Sequence, residues 1–343
     1  MVCGHADKIR MQVRHVSADG KIWIQSDSFL PLTLLGNQVN IFSEDPKSPG
    51  DYREIRGATV EALGAIHFAD PSAREGKSGI KREQLFLETG VSGKDKGKQV
   101  EALGIRAGDP IILDRPIAPG VFPDSFSGAY LDNGLGCFAA AEVAALLAPA
   151  PLSNVRVQFA FAAFEEIGRF GSRVLVNELK PDVLIALDVN HDYTNAPNMG
   201  SKRMPALEMG KGFSLSTGSV TSPHLNSLLQ RAALDNDIPI QLDVRGADTG
   251  TDAMAGVLAS ADVAAASLGF PIRNMHTVSE TAHTGDVLAC VHVVERFLRD
   301  ADKSGLSREN FQSAHPNLAG ARLLEAERPE EKEEEGGKKG GEK

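Results

Sequence analysis

The sequence predicts an α/β protein: a mixed sheet with helices on both faces, and a small all-β domain inserted near its start. Three observations lead there. From Leu131 onward, apolar strand-like runs alternate with segments of helical period, the pattern of a sheet covered by helices. Before that, residues 11–122 give short alternating runs broken by turns, which suits hairpins. Acidic and imidazole residues then stand at the ends of the apolar runs, where an open α/β sheet places its chemistry.

Taken in order, Met1-Val2-Cys3-Gly4 looks like the end of a buried strand, with His5-Ala6-Asp7 directly after it. Met11 to Val16 and Lys21 to Ile24 alternate as half-buried strands do. Asp19-Gly20, Leu35-Gly36-Asn37 and Gly108-Asp109-Pro110 supply turns. Ser72 to Lys81 is charged and contains glycine, as an exposed loop would be. Gly134 to Leu147 is rich in Ala and Leu at helical spacing and is stopped by Pro149 and Pro151.

Val155 to Phe164 is rich in Val and Phe and is expected to be a largely buried strand. Glu165-Glu166-Ile167-Gly168 makes a turn after it, and Gly171 to Leu179 a helix. Val183 to Leu187 is a second buried strand ending in Asp188. Ser222 as N-cap and Pro223 at the first helical position open a helix to about Asn236. Strands near 238–245 and 263–270 follow, then an amphipathic helix over Gly285 to Ala301.

Composition narrows the function classes. The chain has 343 residues, 42% of them hydrophobic, enough for a sizeable core and two structural units. Its net charge is −10, of which residues 325–343 supply −3 through eight acids and five bases. No clustered basic face suggests nucleic acid, and no apolar stretch has membrane-spanning length. Cys3, Cys137 and Cys290 are odd in number and widely spaced, without zinc-finger or disulfide-scaffold spacing, so a reducing cytoplasm is the expected setting.

Singly, each polar strand end has an ordinary explanation: a solvated acidic turn for Glu165-Glu166, a cap for Asp188, a hydrogen-bonded core imidazole for His276. Together, His5, Asp132, Glu166, Asp188 and His276 make three carboxylates and two imidazoles, a ligand set for two divalent metals. Such mixed N/O ligation fits zinc, with cobalt or manganese as alternatives. Two cations that close repel, so an anion shared between them is needed, and Asp132 on a tight turn is the candidate. Glu165, next to a ligand yet free of the metal, can take a proton from water. Asp7 stands two residues from His5, where it can fix the imidazole tautomer.

These segments resemble the glutamyl/tetrahedral aminopeptidase family of di-metal peptidases. The matching pieces are His5-Ala6-Asp7, Leu131-Asp132-Asn133, Glu165-Glu166-Ile167-Gly168, Leu187-Asp188-Val189 and Met275-His276-Thr277, with Gly250-Thr251-Asp252-Ala253 besides. The resemblance implies a zinc-exopeptidase-like fold in residues 1–9 and 124–302 with a barrel-like insert over 10–123; the charged, low-complexity composition of the end separately predicts a largely disordered tail over 303–343. It also implies that one metal is held by His5 and Asp188, the other by Glu166 and His276, with Asp132 bridging and Glu165 as general base. Peptide substrates, release of an N-terminal residue and a closed homo-oligomer follow from the same likeness.

The sequence departs from the family pattern in three places. Lys8 and Arg10 stand where the family usually has an acid and a glycine, Gly134 follows the Asp-Asn pair, and the family's segment ahead of its first histidine is not in this sequence. Two other readings stay open: a deacylase of small N-acyl substrates, and a non-catalytic member acting in assembly.

Overall fold

The computed structural model describes residues 1–306, apart from 27, 46, 200–205 and 260; most of the expected charged tail lies outside the described residues. Chain order builds it in three parts. Strand β1 (Val2–His5) is buried at every position and leads directly into a barrel. The barrel strands are β2 (Met11–Val16), β3 (Ile22–Ser26), β4 (Gln38–Glu44), β5 (Tyr52–Glu61), β6 (Phe86–Glu88) and β7 (Pro110–Leu113). They close in the order β2-β3-β6-β5-β4-β7 through antiparallel ladders, so no edge is left open. The alternation in β2 and β3 is why: Met11, Val13, Ile22 and Ile24 all turn inward onto Val39, Ile41, Leu87 and Ile111. At the start of the expected loop 72–81, Pro71–Arg74 forms one short helical turn capped by Asp70.

Strands β8 (Ala118–Pro119) and β9 (Ser125–Gly128) bring the chain back to the main body. There β10 (Phe159–Ala162), β11 (Val183–His191), β12 (Phe213–Thr217), β13 (Ile240–Val244) and β14 (Ala264–Ile272) join β1 in one mixed sheet, ordered β10-β1-β11-β14-β12-β13. β10, β1, β11 and β14 run parallel, and β12 meets β14 antiparallel. A last strand, β15 (Glu280–His283), pairs with β9 in a separate small sheet.

Helices Leu131–Leu147, Pro223–Leu234 and Thr284–Ser304 bury Leu135, Leu229 and Val294 against one face of the sheet. Helix Phe170–Leu179 and the turn Ala255–Leu258 cover the other, over Cys3, Val176 and Leu184. The strand expected over 155–164 is shorter than its composition suggested. Its ladder with β1 runs only from Phe159 to Ala162, and residues 155–158 lie outside any strand. The final helix is longer than expected, beginning at Thr284 with His283 as its N-cap and ending at Ser304.

Candidate metal and active site

Every sequence-predicted ligand comes to the carboxyl ends of the parallel strands, where loops leave the sheet and side chains converge. His5 is the last residue of β1 and is 1% exposed. It is set deep because Gly4 lets the strand lie on the helix Leu131–Leu147: a Cβ at Gly4 would meet backbone atoms of Gly136 and Cys137 at 2.7 and 2.9 Å. Asp188 lies late in β11. Asp132 sits at the head of that helix, before its regular turns, and a cis peptide joins it to Asn133. Asn133 secures this corner by donating to the Leu187 carbonyl at 2.7 Å and accepting from the Gly136 amide at 2.8 Å. Glu165 and Glu166 form the turn after β10, and His276 stands in the loop between β14 and β15.

The distances make two overlapping triads. His5 Nε2 lies 3.2 Å from Asp132 Oδ1 and 3.6 Å from Asp188 Oδ1. His276 Nε2 lies 3.1 Å from Asp132 Oδ2 and 3.7 Å from Glu166 Oε2. Within each triad, one donor atom per residue falls inside 4.8 Å of the others. Asp132 belongs to both, with one carboxylate oxygen turned to each imidazole.

The chemistry of these donors fits a pair of divalent cations. Glu166 Oε1 is buried with no hydrogen-bond partner, a costly state for a carboxylate oxygen unless a cation takes its lone pair. In the metal-free chain the acids resist ionisation. Burial pushes Glu165 up to about 8, with Asp188 adding to the effect, and Glu166 up to about 7. Asp188 rises to about 6, again chiefly by burial. Asp132 goes the other way: burial opposes its charge, but hydrogen bonds from His276 and His5 outweigh that and hold it at about 2. His276 is raised to about 9 by its bond to Asp132. His5, which burial alone would lower, is raised by Asp132, Asp188 and Asp7. The imidazoles thus hold protons where cations would otherwise balance the carboxylates.

Three residues missed by the sequence reading complete the frame. Glu280, only 2% exposed, accepts from the His276 amide at 2.8 Å and the Asp132 amide at 3.2 Å. Arg169 reaches Glu165 Oε1 at 3.3 Å and Asp248 Oδ2 at 3.1 Å. Asn133, noted only as part of a motif, is the corner described above. The one available signal for Glu280 was an acid inside an alternating strand four residues after His276.

Asp7 does more than expected. His5 Nδ1 lies 3.2 Å from its carbonyl and 3.5 Å from its carboxylate, which also accepts the amides of Glu165 and Glu166 at 3.1 and 3.3 Å. Asp252 stays apart from the ligands, under the sheet, bonded to Ser172 and 3.6 Å from Cys3 Sγ. Lys8 sets its ammonium 4.9 Å over the Tyr130 ring. Tyr130, Phe164, Arg169 and His276 all have φ between 60° and 66°. Left-handed backbone at non-glycine residues costs about 1–3 kcal/mol each and gathers at working sites.

Comparison with known proteins decides the family. The model of the M42 glutamyl aminopeptidases matches residues 1–293. The chain belongs to that family. A lysyl aminopeptidase of Pyrococcus furiosus is 28% identical over 303 residues, spanning 88% of this chain and 81% of the relative. Among solved structures, the TET aminopeptidase of a Thaumarchaeota archaeon overlays with TM-score 0.74 at 20% identity, covering 90% of this chain and 83% of that one. The TET1 peptidase of Pyrococcus horikoshii overlays at 0.69 and 23% identity, covering 86% and 81%. The fold of this M42 member is therefore the TET aminopeptidase fold, and its reaction is metal-dependent removal of N-terminal residues from peptides.

Proposed function

We propose that this M42 aminopeptidase works with two divalent metal ions, zinc being the first choice, held by His5 and Asp188 on one side and Glu166 and His276 on the other. Asp132, shared by both triads, would serve both ions. The observation that carries this is the double triad sharing Asp132. Bound there, such ions supply Lewis acidity that polarises the scissile carbonyl and acidifies water.

The chain's own groups do the rest. Glu165 reaches into the same space, with Oε2 3.8 Å from His5 Nε2, but belongs to neither triad. Ionised, it takes a proton from the attacking water and returns it to the leaving amine. Arg169 holds that carboxylate from the other side, and Asp7 fixes the turn carrying both glutamates. Glu280 ties the Asp132 and His276 backbones together, so the bridging carboxylate and its imidazole keep their spacing.

Replacing Glu165 with Gln tests the base. Turnover of an aminoacyl p-nitroanilide should fall by about 10²–10⁴-fold while metal content, read by elemental analysis, stays at the wild-type level. Full activity in that variant would remove Glu165 from its role.

Residues 1–9 and 124–302 act in this reading as the catalytic unit, with 10–123 as the inserted barrel. A cytoplasmic setting and peptide substrates go with it; among the described residues no helix is long and apolar enough to cross a membrane. The Pyrococcus horikoshii TET1 peptidase is described as assembling into a tetrahedron or a large octahedral shell. By analogy this chain forms a homo-oligomer. Val121, Phe122 and Phe68, exposed by 97%, 77% and 92%, support that, since such side chains call for a partner surface.

A further inference from the structure

One edge of the main sheet is bare. Strand β10 ends the sheet: it pairs with β1 on one side and, among the described residues, with no strand on the other. The amides of Val2 and Ala6 take the carbonyls of Gln158 and Ala162. In a parallel ladder alternate residues turn their peptide groups the other way, so those of Phe159 and Phe161 face outward. Apolar side chains border this edge on both faces. Ala160 and Ala162 pack with Val176 of the helix Phe170–Leu179, which sends Phe161 to the opposite face, half exposed. On that helix Phe170 and Val174 are half exposed as well. A bare edge with an apolar border is a template for another segment, and folded proteins cover such edges.

The described chain ends at the foot of this edge. Asp302, near the end of the helix Thr284–Ser304, accepts the amides of Ser153 and Val155 at 2.9 and 3.0 Å. Leu306 packs on the core and, with residues 154–158, lines a cavity of about 210 Å³. Residues 154–158 lead straight into β10. Residues 307–343 follow from that point, and their composition falls in two. Phe311, Leu318, Leu323 and Leu324 all lie within 307–324, whereas 325–343 contain no large apolar side chain. The 18 residues 307–324 can span about 60 Å when extended, more than twice the roughly 26 Å of the line 155–162.

We propose that residues 307–324 dock along β10, covering its outward peptide groups and setting their apolar side chains on Phe161, Phe170 and Val174. The charged residues 325–343 stay in water. Tethering gives the segment an effective concentration on the order of millimolar, so it outcompetes a second copy at micromolar protein. Because β10 leads into the Glu165-Glu166 turn, the docked segment also keeps that turn from fraying.

The test is hydrogen exchange, read by mass spectrometry on the full chain at low and at high micromolar concentration. Wild type is compared with a variant carrying Phe311→Glu, Leu318→Glu and Leu323→Glu. Amides of 155–162 should exchange at least about tenfold faster in the variant, equally at both concentrations, with the buried strand β11 unchanged. Equal exchange in the two proteins overturns the proposal. So does protection that appears only at high concentration, which would give the edge to a second copy. If β11 loses its protection in the variant, the full chain with benzoylphenylalanine in place of Phe161 decides. Irradiation must join position 161 to residues 307–324 of the same chain; a cross-link to another segment, to another chain, or none at all overturns it.

Discussion

Glu280 shows how a buried carboxyl group with no direct part in the chemistry can govern a site. Its two oxygens accept the amides of Asp132 and His276, so losing this acceptor frees two proposed ligands at once. Replacing it with Gln keeps the shape but sets an amide N–H₂ against a backbone donor. Metal affinity should fall by about 10–100-fold, with the unloaded protein still folded; titration calorimetry and circular dichroism check the pair, and unchanged affinity would refute the role. Asp132→Ala should go further and lose both metals, since its carboxylate serves both triads.

The pH behaviour of the metal-stripped protein follows at the same scale. Glu165, Glu166, Glu280 and Asp188, raised by burial to about 8, 7, 7 and 6, hold protons in the folded chain that the unfolded chain releases near pH 4. Raised carboxyl pKa values mean stability present at low pH and lost as pH climbs through those values. His276, raised to about 9, and His5 act the same way above about pH 6.5. Asp132, held at about 2, acts only below that window. The melting temperature of chelated protein should therefore fall between about pH 5 and about pH 8, and metal should remove most of that fall. A stripped protein whose melting point rises across the range would contradict the burial argument.

Among the elements, β1 and the helix Leu131–Leu147 form the joint on which the site depends. The joint is made of glycine backbone, Gly4 against Gly136. Gly4→Ala forces a methyl into main-chain atoms that cannot rotate aside, at a cost of about 1–3 kcal/mol. Urea unfolding should show that loss, and metal content should drop because His5 is the next residue. How much of this was legible varies with the element. The run Val183–Leu187 announced itself, because a strand buried on both faces has to be apolar throughout. Residues 155–158 were equally suggestive by composition, but a strand also needs a partner in register, and β1 supplies one only from Phe159. Similarly, the proposed ligands stood out as polar residues ending apolar runs. Glu280 and Arg169 did not, because their roles lie in contacts across the fold that no local spacing encodes.

At the scale of the whole molecule, the barrel and the sheet each have their own apolar core. The exposed Phe68, Val121 and Phe122 point to surfaces that a larger assembly would cover. Light scattering on purified protein should therefore give a mass that is a multiple of the chain's, and changing Val121 and Phe122 together to Ser should lower that multiple if this stretch is buried between copies. A wild-type protein that stays a single chain at micromolar concentration would remove the assembly reading.

The order of the ligands along the chain has one more consequence. His5 precedes the barrel strands in the chain, so it cannot meet Asp132 until those strands have been made, nor His276 and Glu280 until the strands of the main sheet have followed. A growing chain that stalls before His276 carries His5, Asp132 and Asp188, but lacks the imidazole and the Glu280 tie of the other triad. In the proposed arrangement the centre therefore forms only once segments on both sides of the barrel have been made and brought together.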